Sequence, residues 1–379
     1  MSIKIGILLP RSDMFPTLAL DFLNGFRLGL SARGNDIKEP KLFIESIGNA
    51  TGDSVIKTAE RMILQENVDL TVSFCSIFNL KELVNSFTSY RKNLIHVDLG
   101  GNVITQDHIS PYVTHLSLNL WQSACRSGEY AAAEFGKNAV VAASFYDGGY
   151  HLLENFVQGF TSSGGNIVYP FIASFDYKSE SYQNLVDGIE KFNPDFVFSL
   201  FSYKEEEKVL GVLSKNLSNK NLRFIWSPLI NTKGNGTEKY QLTNLHTLAS
   251  WDFESRKPEM QNFMNSYVNT YELAPNVISL LGFETSLIVS QSIAGSGKLE
   301  NELGAFSGHL KIKSPRGQLT FNSFHESQIL NYTLKKYDFS SHPHTQLISQ
   351  SIRVDGEDKL YDKYKDIPLT GWQNPYIIT

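Results

Sequence analysis

Asn67-Val-Asp-Leu-Thr-Val-Ser-Phe-Cys-Ser76 and Asn193-Pro-Asp-Phe-Val-Phe-Ser-Leu-Phe-Ser202 are one ten-residue pattern written twice, 126 positions apart. Asn67 and Asn193, Asp69 and Asp195, Ser73 and Ser199, and Ser76 and Ser202 coincide without a gap. Each copy lies between amphipathic stretches, and each is followed by a second apolar run, Asn93–Val97 and Asn221–Trp226. A helix–strand–helix–strand unit repeated at this distance predicts two similar α/β lobes in one chain. Open α/β sheets bind ligands at the carboxyl ends of their strands, and those ends carry Ser76 and Ser202 here.

The rest of the composition fits. A chain of 379 residues exceeds one ordinary core and suits two domains. Hydrophobic residues make up 41% and charged ones 19%, as in a folded globular protein. A formal charge of −5 leaves no basic footprint, so nucleic acid is not an expected partner. No run reaches the length of a transmembrane helix. Cys75 and Cys125, the only two cysteines, are expected to be free and buried. The apolar strand Ile3–Leu9 begins at once and leaves no room for a leader. The protein is then either cytosolic, with Met1 its native start, or periplasmic and stripped of its export signal.

Outward from the repeat, strands and helices alternate, which implies parallel sheets covered on both faces. Strands are expected at 3–9, 41–46, 69–74, 93–98, 138–144, 166–172, 195–201 and 222–226. The intervening helices fall at 17–32, from Asp53 or Ser54 to about 66, and at 79–91, 121–135, 150–163, 180–192 and 204–217. Tyr112–Leu118 reads as an extended crossing segment. Asn231–Gly236 reads as a polar loop, and 245–250 as a further apolar piece. Helices 258–272 and 276–295 have no strand pair of their own and are expected to return to the first lobe. The β-like pieces Gly317–Phe321 and Ile329–Tyr337 follow, and a polar tail from Ser340 wraps the surface. This gives lobe 1 as 1–117 and 250–322, and lobe 2 as 118–249 and 323–379. Three connecting segments between the two Rossmann-like lobes form the expected hinge.

Several marks together carry a resemblance. They are Ile5-Gly-Ile-Leu-Leu-Pro10 with Asn24-Gly-Phe-Arg-Leu-Gly-Leu30, and Ala59-Glu-Arg-Met-Ile-Leu-Gln-Glu-Asn-Val-Asp69. Further on come Asp147-Gly-Gly-Tyr150, Gly282-Phe-Glu-Thr-Ser286 and Ser314-Pro-Arg-Gly-Gln-Leu-Thr-Phe321. In order and spacing the chain resembles type I periplasmic binding proteins of the branched-chain amino acid group, receptors of ABC transporters. The resemblance implies a two-lobed Venus flytrap that binds a small amino-acid-like or aromatic carboxylate in the inter-lobe cleft. It also implies an ABC-transporter permease as partner, no cofactor, no metal and no catalysis, in a monomer or weak dimer.

The same resemblance implies the site. Ser76, Gly100 and Asn102 correspond to the groups that hold a ligand's carboxylate, and Tyr150 and Tyr203 to the second lobe's aromatics. Ser76 sits where a helix begins, so free N–H groups favour an anion there, and a plain N-cap is a compatible role. Gly100 could instead answer only a turn's need for positive φ. Arg11 is a possible carboxylate clamp. Trp226, Trp251, Phe283, Tyr146 and Phe15 fall near the cleft by alignment and suit an aromatic or apolar ligand. Amino acid binders of the family place a carboxylate after the last second-lobe strand to hold the ammonium. Here that stretch reads Trp226-Ser-Pro-Leu-Ile-Asn231. Asp147, Glu284, Asp98 and Asp252 are the open alternatives for that role.

Other classes lack their signatures. No Gly-x-Gly-x-x-Gly follows a strand, no Gly-x-Ser-x-Gly elbow occurs, and His342-Pro-His344 has no companion ligand. Glu205-Glu-Glu207 reads as a solvated first helical turn. The alternative to an exported receptor is a cytosolic ligand sensor on the same fold, similar to amide-responsive regulators.

Overall fold

The computed structural model describes residues 2–31, 39–217, 221–229, 240, 242–293, 298–338, 340, 345–353, 360–363, 371–372 and 374–377. The loop expected at Asn231–Gly236 lies outside these. The chain divides into two compact units. Unit 1 comprises Met1–Asn119, Trp251–Leu330 and Asp355–Thr379, and unit 2 comprises Leu120–Ser250 and Asn331–Val354.

Unit 1 opens with β1 (Lys4–Leu9), α1 (Leu18–Ser31), β2 (Lys41–Ser46), α2 (Gly52–Leu64) and β3 (Leu70–Phe74). It continues through α3 (Leu80–Tyr90), β4 (Asn93–Val97) and β5 (Val113–Leu116). The sheet order is β2-β1-β3-β4-β5, and every neighbouring pair is parallel. β5 corrects the expected crossing segment: Tyr112–Leu118 is largely a fifth strand, in register with β4 from Leu94↔Val113 to Val97↔Leu116. Thr51, not Asp53 or Ser54, takes the N-cap position of α2.

Unit 2 repeats the plan with α4 (Leu120–Glu134), β6 (Asn138–Ala143), α5 (His151–Ser162), β7 (Asn166–Ile172) and α6 (Gln183–Phe192). Then come β8 (Phe196–Leu200), α7 (Tyr203–Leu217), β9 (Arg223–Trp226) and β10 (Leu245–Ala249). Its parallel strands run β7-β6-β8-β9-β10, the same order as unit 1 read strand for strand. β3 and β8, the two copies of the opening pattern, are thus the third strands of equivalent sheets.

The chain returns to unit 1 with α8 (Pro258–Tyr271), α9 (Val277–Gln291), α10 (Leu303–Ser307), β11 (Ile312–Ser314), β12 (Gly317–Phe321) and β13 (Ser327–Gln328). It then crosses to unit 2 for β14 (Asn331–Asp338) and β15 (Thr345–Arg353), which extend the sheet antiparallel from β10. The tail expected to wrap the surface therefore contains a sheet strand. Residues 323–330 and 355–379 group with unit 1 rather than with the second lobe. Their reason is packing: Tyr361 stacks on Phe324 at 4.2 Å, and its hydroxyl donates to the buried Glu326 carboxylate.

α1 and α9 approach closely through glycine. A Cβ on Gly25 would lie 1.9 Å from the Ser279 carbonyl oxygen, and one on Gly282 would lie 2.0 Å from that of Phe22. Backbone cannot yield there without separating the helices. Gly25→Ala is expected to destabilise the protein by about 3 kcal/mol. Gly211→Ala, on α7 with open space around it, should instead stabilise by about 0.5–1 kcal/mol. Denaturant midpoints of the two variants check both signs.

Candidate functional site

The two units end their parallel strands in comparable loops. In unit 1, Arg11 follows β1, Ser76 follows β3, and Gly100 and Asn102 follow β4. Ser76 is fully buried, and its Oγ accepts the Phe78 amide at 3.3 Å, capping the short 3-10 turn Ile77–Asn79 that leads into α3. The N-cap role is therefore filled. Gly100 has φ +83°, so the turn after β4 requires the left-handed region that glycine enters freely. Asn102 is buried beside it, while Arg11 is exposed and its amide donates to Gly48 O at 2.7 Å.

Two histidines brace this edge. The His96 Nε2–H donates to the carbonyl of Cys75, the residue before Ser76, at 2.8 Å. The His115 Nε2–H donates to the His108 carbonyl at 3.0 Å. Cys75 and Cys125 are both free and buried, and burial pushes the Cys75 thiol up to about 12. It is no nucleophile at neutral pH.

In unit 2 the loop after β6 carries a buried carboxylate. The Ser144 Oγ donates to Asp147 Oδ2 at 2.7 Å, and the Ser202 Oγ lies 3.0 Å from both Asp147 oxygens. Ser202 is thus tied to Asp147, whereas its counterpart Ser76 caps a helix. Tyr150 begins α5; its hydroxyl lies 2.9 Å from that of Tyr146, with the two rings edge to face. The Tyr203 side chain lies outside the described residues.

The expected solvated turn at Glu205–Glu207 holds for Glu207, which is exposed, and is corrected for Glu205 and Glu206. Glu205 accepts the Tyr182 hydroxyl at 2.8 Å, burial raises its carboxyl to about 7, and Glu206 is buried. Folding brings Tyr182 from the loop after β7 to the start of α7, a meeting that local sequence does not announce. The one local hint is an acidic run directly after a strand end.

The remaining sequence candidates divide. Trp226 is buried in the unit 2 core 6.0 Å from Phe201, and it lines a small pocket with Leu120, Ser123, Leu152, Ser227 and Pro228. Trp226 Nε1 and Ser123 Oγ have no hydrogen-bond partner among the described residues. Phe283 of α9 packs on Phe263 of α8 at 4.9 Å, a contact between helices. Trp251 is buried at the start of unit 1's second segment, and Phe15 is half-buried after β1. Among the open carboxylates, Glu284 is ruled out for an ammonium because Arg316 grips both of its oxygens, at 2.8 and 2.7 Å. Asp252 spends one oxygen on the Glu254 amide at 3.0 Å.

Two α/β lobes of identical strand order, with polar groups gathered at the strand ends, define a ligand-binding class of fold. The model of the periplasmic binding protein family matches residues 2–305, and the chain belongs to that family. No curated protein matches its sequence. Solved structures share the fold at low identity. A solute-binding protein of an ABC transporter from R. palustris, in complex with benzoate, superposes with TM-score 0.73 at 18% identity, covering 94% of this chain and 98% of that one. Another from Rhodopseudomonas palustris HaA2, in complex with p-hydroxybenzoic acid, gives 0.76 at 14%, covering 96% and 100%. A leucine-binding protein from Thermotoga maritima gives 0.68 at 16%, covering 92% and 98%. Among the described residues no helix is long and apolar enough to cross a membrane.

Proposed function

We propose that the chain is an extracytoplasmic solute receptor that delivers a small aromatic carboxylate to an ABC-transporter permease. The observation that carries this reading is the chemistry at the strand ends. Unit 1 offers a helix-capping serine and a glycine turn, suited to an anion. Unit 2 offers the Tyr146–Tyr150 pair, suited to a ring. β9 ends in Trp226-Ser227, without the carboxylate that an α-amino group needs. An unpartnered buried ammonium is costly, so an aromatic acid fits better than leucine. The solved relatives bound to benzoate and p-hydroxybenzoate support the same ligand class.

Thermal unfolding with benzoate, 4-hydroxybenzoate and leucine tests the reading. At a hundredfold excess over Kd the correct ligand adds about 2.7 kcal/mol of stability. Ser76→Ala combined with Tyr150→Phe should remove that increment, even though losing the cap lowers the baseline by about 1 kcal/mol. Stabilisation by leucine alone, or an unchanged increment in the double variant, would sink it.

A further inference from the structure

Asp98 stands at the turn to which the family resemblance assigns a ligand's carboxylate. The β3–β4 ladder closes at Phe74↔Val97, so Cys75 and Asp98 leave the sheet together, with Ser76 and Gly100 just beyond. The Asp98 side chain is buried, and its Oδ1 accepts the Leu99 amide at 2.6 Å. Among the described residues, the groups near it in the fold come from three places. The Cys75 thiol at the end of β3 stays protonated, and His96 on β4 is held neutral by burial. Glu326, before β13, is a second buried carboxyl group, accepting Ser117 Oγ at 2.7 Å as well as the Tyr361 hydroxyl. The third source is the turn itself, whose Leu99 and Gly100 amides favour the ionised form. None of these groups is cationic. Burial dominates and raises the Asp98 carboxyl to about 7.

Two ionised carboxylates cannot share so dry a turn, because each raises the energy of the other. We propose that Asp98 is a specificity-determining residue that admits a ligand carboxylate to the Ser76–Gly100–Asn102 face only as its own carboxyl group takes up a proton. The inference rests on the reading of this protein as a carboxylate receptor. The Asp98 carboxylate itself takes the Leu99 amide. When an anion enters, one proton from solvent neutralises Asp98, whose new O–H donates to the ligand while the amides turn to it. Charge is conserved at the face: one anion and one proton arrive together. The face thereby selects anions over neutral isosteres at acidic pH and loses them as pH rises.

Calorimetric titration of benzoate into the full chain, in two buffers of different ionisation heat, counts the protons. At about pH 8, close to one proton should be taken up per benzoate bound, with Kd weakening about tenfold per pH unit above neutrality. Benzamide should take up none. Asp98→Asn keeps the side-chain acceptor and should bind benzoate with no proton uptake and a flat pH profile. No uptake by the wild type, proton release, or a persisting slope in Asp98→Asn overturns the proposal. Carboxyl-carbon NMR of the ligand-free protein supplies the second readout. Titration of Asp98 in the ordinary carboxylate range overturns it whether or not any probe binds. Titration near neutrality with no benzoate binding at any pH removes the aromatic-acid reading instead.

Discussion

Arg316→Met is expected to cost about 3–5 kcal/mol of stability, because it leaves Glu284 charged and unpaired in the interior. Both side chains of the pair are fully buried. Arg316 Nε and Nη2 meet the two Glu284 oxygens, Ser314 Oγ donates to the same carboxylate, and the second Nη2 bond reaches Ser117 O at 3.0 Å. The network joins α9, the β11–β12 turn and the segment after β5. Removing the arginine therefore strands the Glu284 charge and takes a donor from the Ser117 carbonyl at the same time. Glu284→Leu with Arg316→Met removes both charges and should recover most of the loss, as buried ion pairs replaced by apolar groups commonly do. Urea unfolding of the single and double variants checks this. A single variant within 1 kcal/mol of wild type would show that water reaches the pair.

The sequence announces the architecture because two of the repeat's identities are backbone devices. Asn67 and Asn193 both take left-handed conformations, φ 48° and 43°, at the turn before the third strand of each sheet. Two residues later, Asp69 accepts the Lys4 amide at 2.8 Å, and Asp195 accepts those of Lys137 and Asn138 at 2.8 Å. Each aspartate thus latches its strand to the start of the first strand of its own lobe, and such local geometry demands the same residue types twice. What escapes the sequence depends on distant partners or on weak patterns. β15 is Thr345-Gln-Leu-Ile-Ser-Gln-Ser-Ile-Arg353, polar with no period-two alternation, and so reads as tail. β5 has only four residues. Glu284 and Arg316 are 32 positions apart, and no spacing rule links them. Glu205 looks solvated until Tyr182 arrives. Ser76 and Ser202 stand at equivalent strand ends, yet one caps a helix and the other binds Asp147, a divergence that only packing decides.

Acidification should destabilise the protein through its buried histidines, and His108 is the cleanest reporter. Its Nδ1 accepts the Thr105 amide at 3.0 Å, closing a capping box, so a proton on that nitrogen breaks the bond. Burial, with Lys81 assisting against the opposing pull of Asp107, lowers the ring to about 4. Unfolding returns it to about 6.5, so between these values the unfolded chain binds the extra proton and stability falls with falling pH. A displacement of that size corresponds to about 3 kcal/mol, fully felt only below the folded value. His96 and His115 are less clean. Each spends its only N–H on a carbonyl, so their Nδ1 atoms face each other 3.2 Å apart as two acceptors that a single shared proton would bridge. Asp98 works in the opposite direction: raised to about 7, it binds more protons folded than unfolded and loses stability as pH rises from about 4 toward 7. The wild-type profile sums slopes of both signs, and only a difference isolates one group. His108→Asn keeps a side-chain acceptor for the Thr105 amide and has no proton to gain. Relative to wild type it should gain about 3 kcal/mol between pH 7 and pH 4 in urea unfolding. A difference that stays constant across that range would show that His108 takes up its proton alike in the folded and unfolded chains, and that the capping box does not hold the ring neutral.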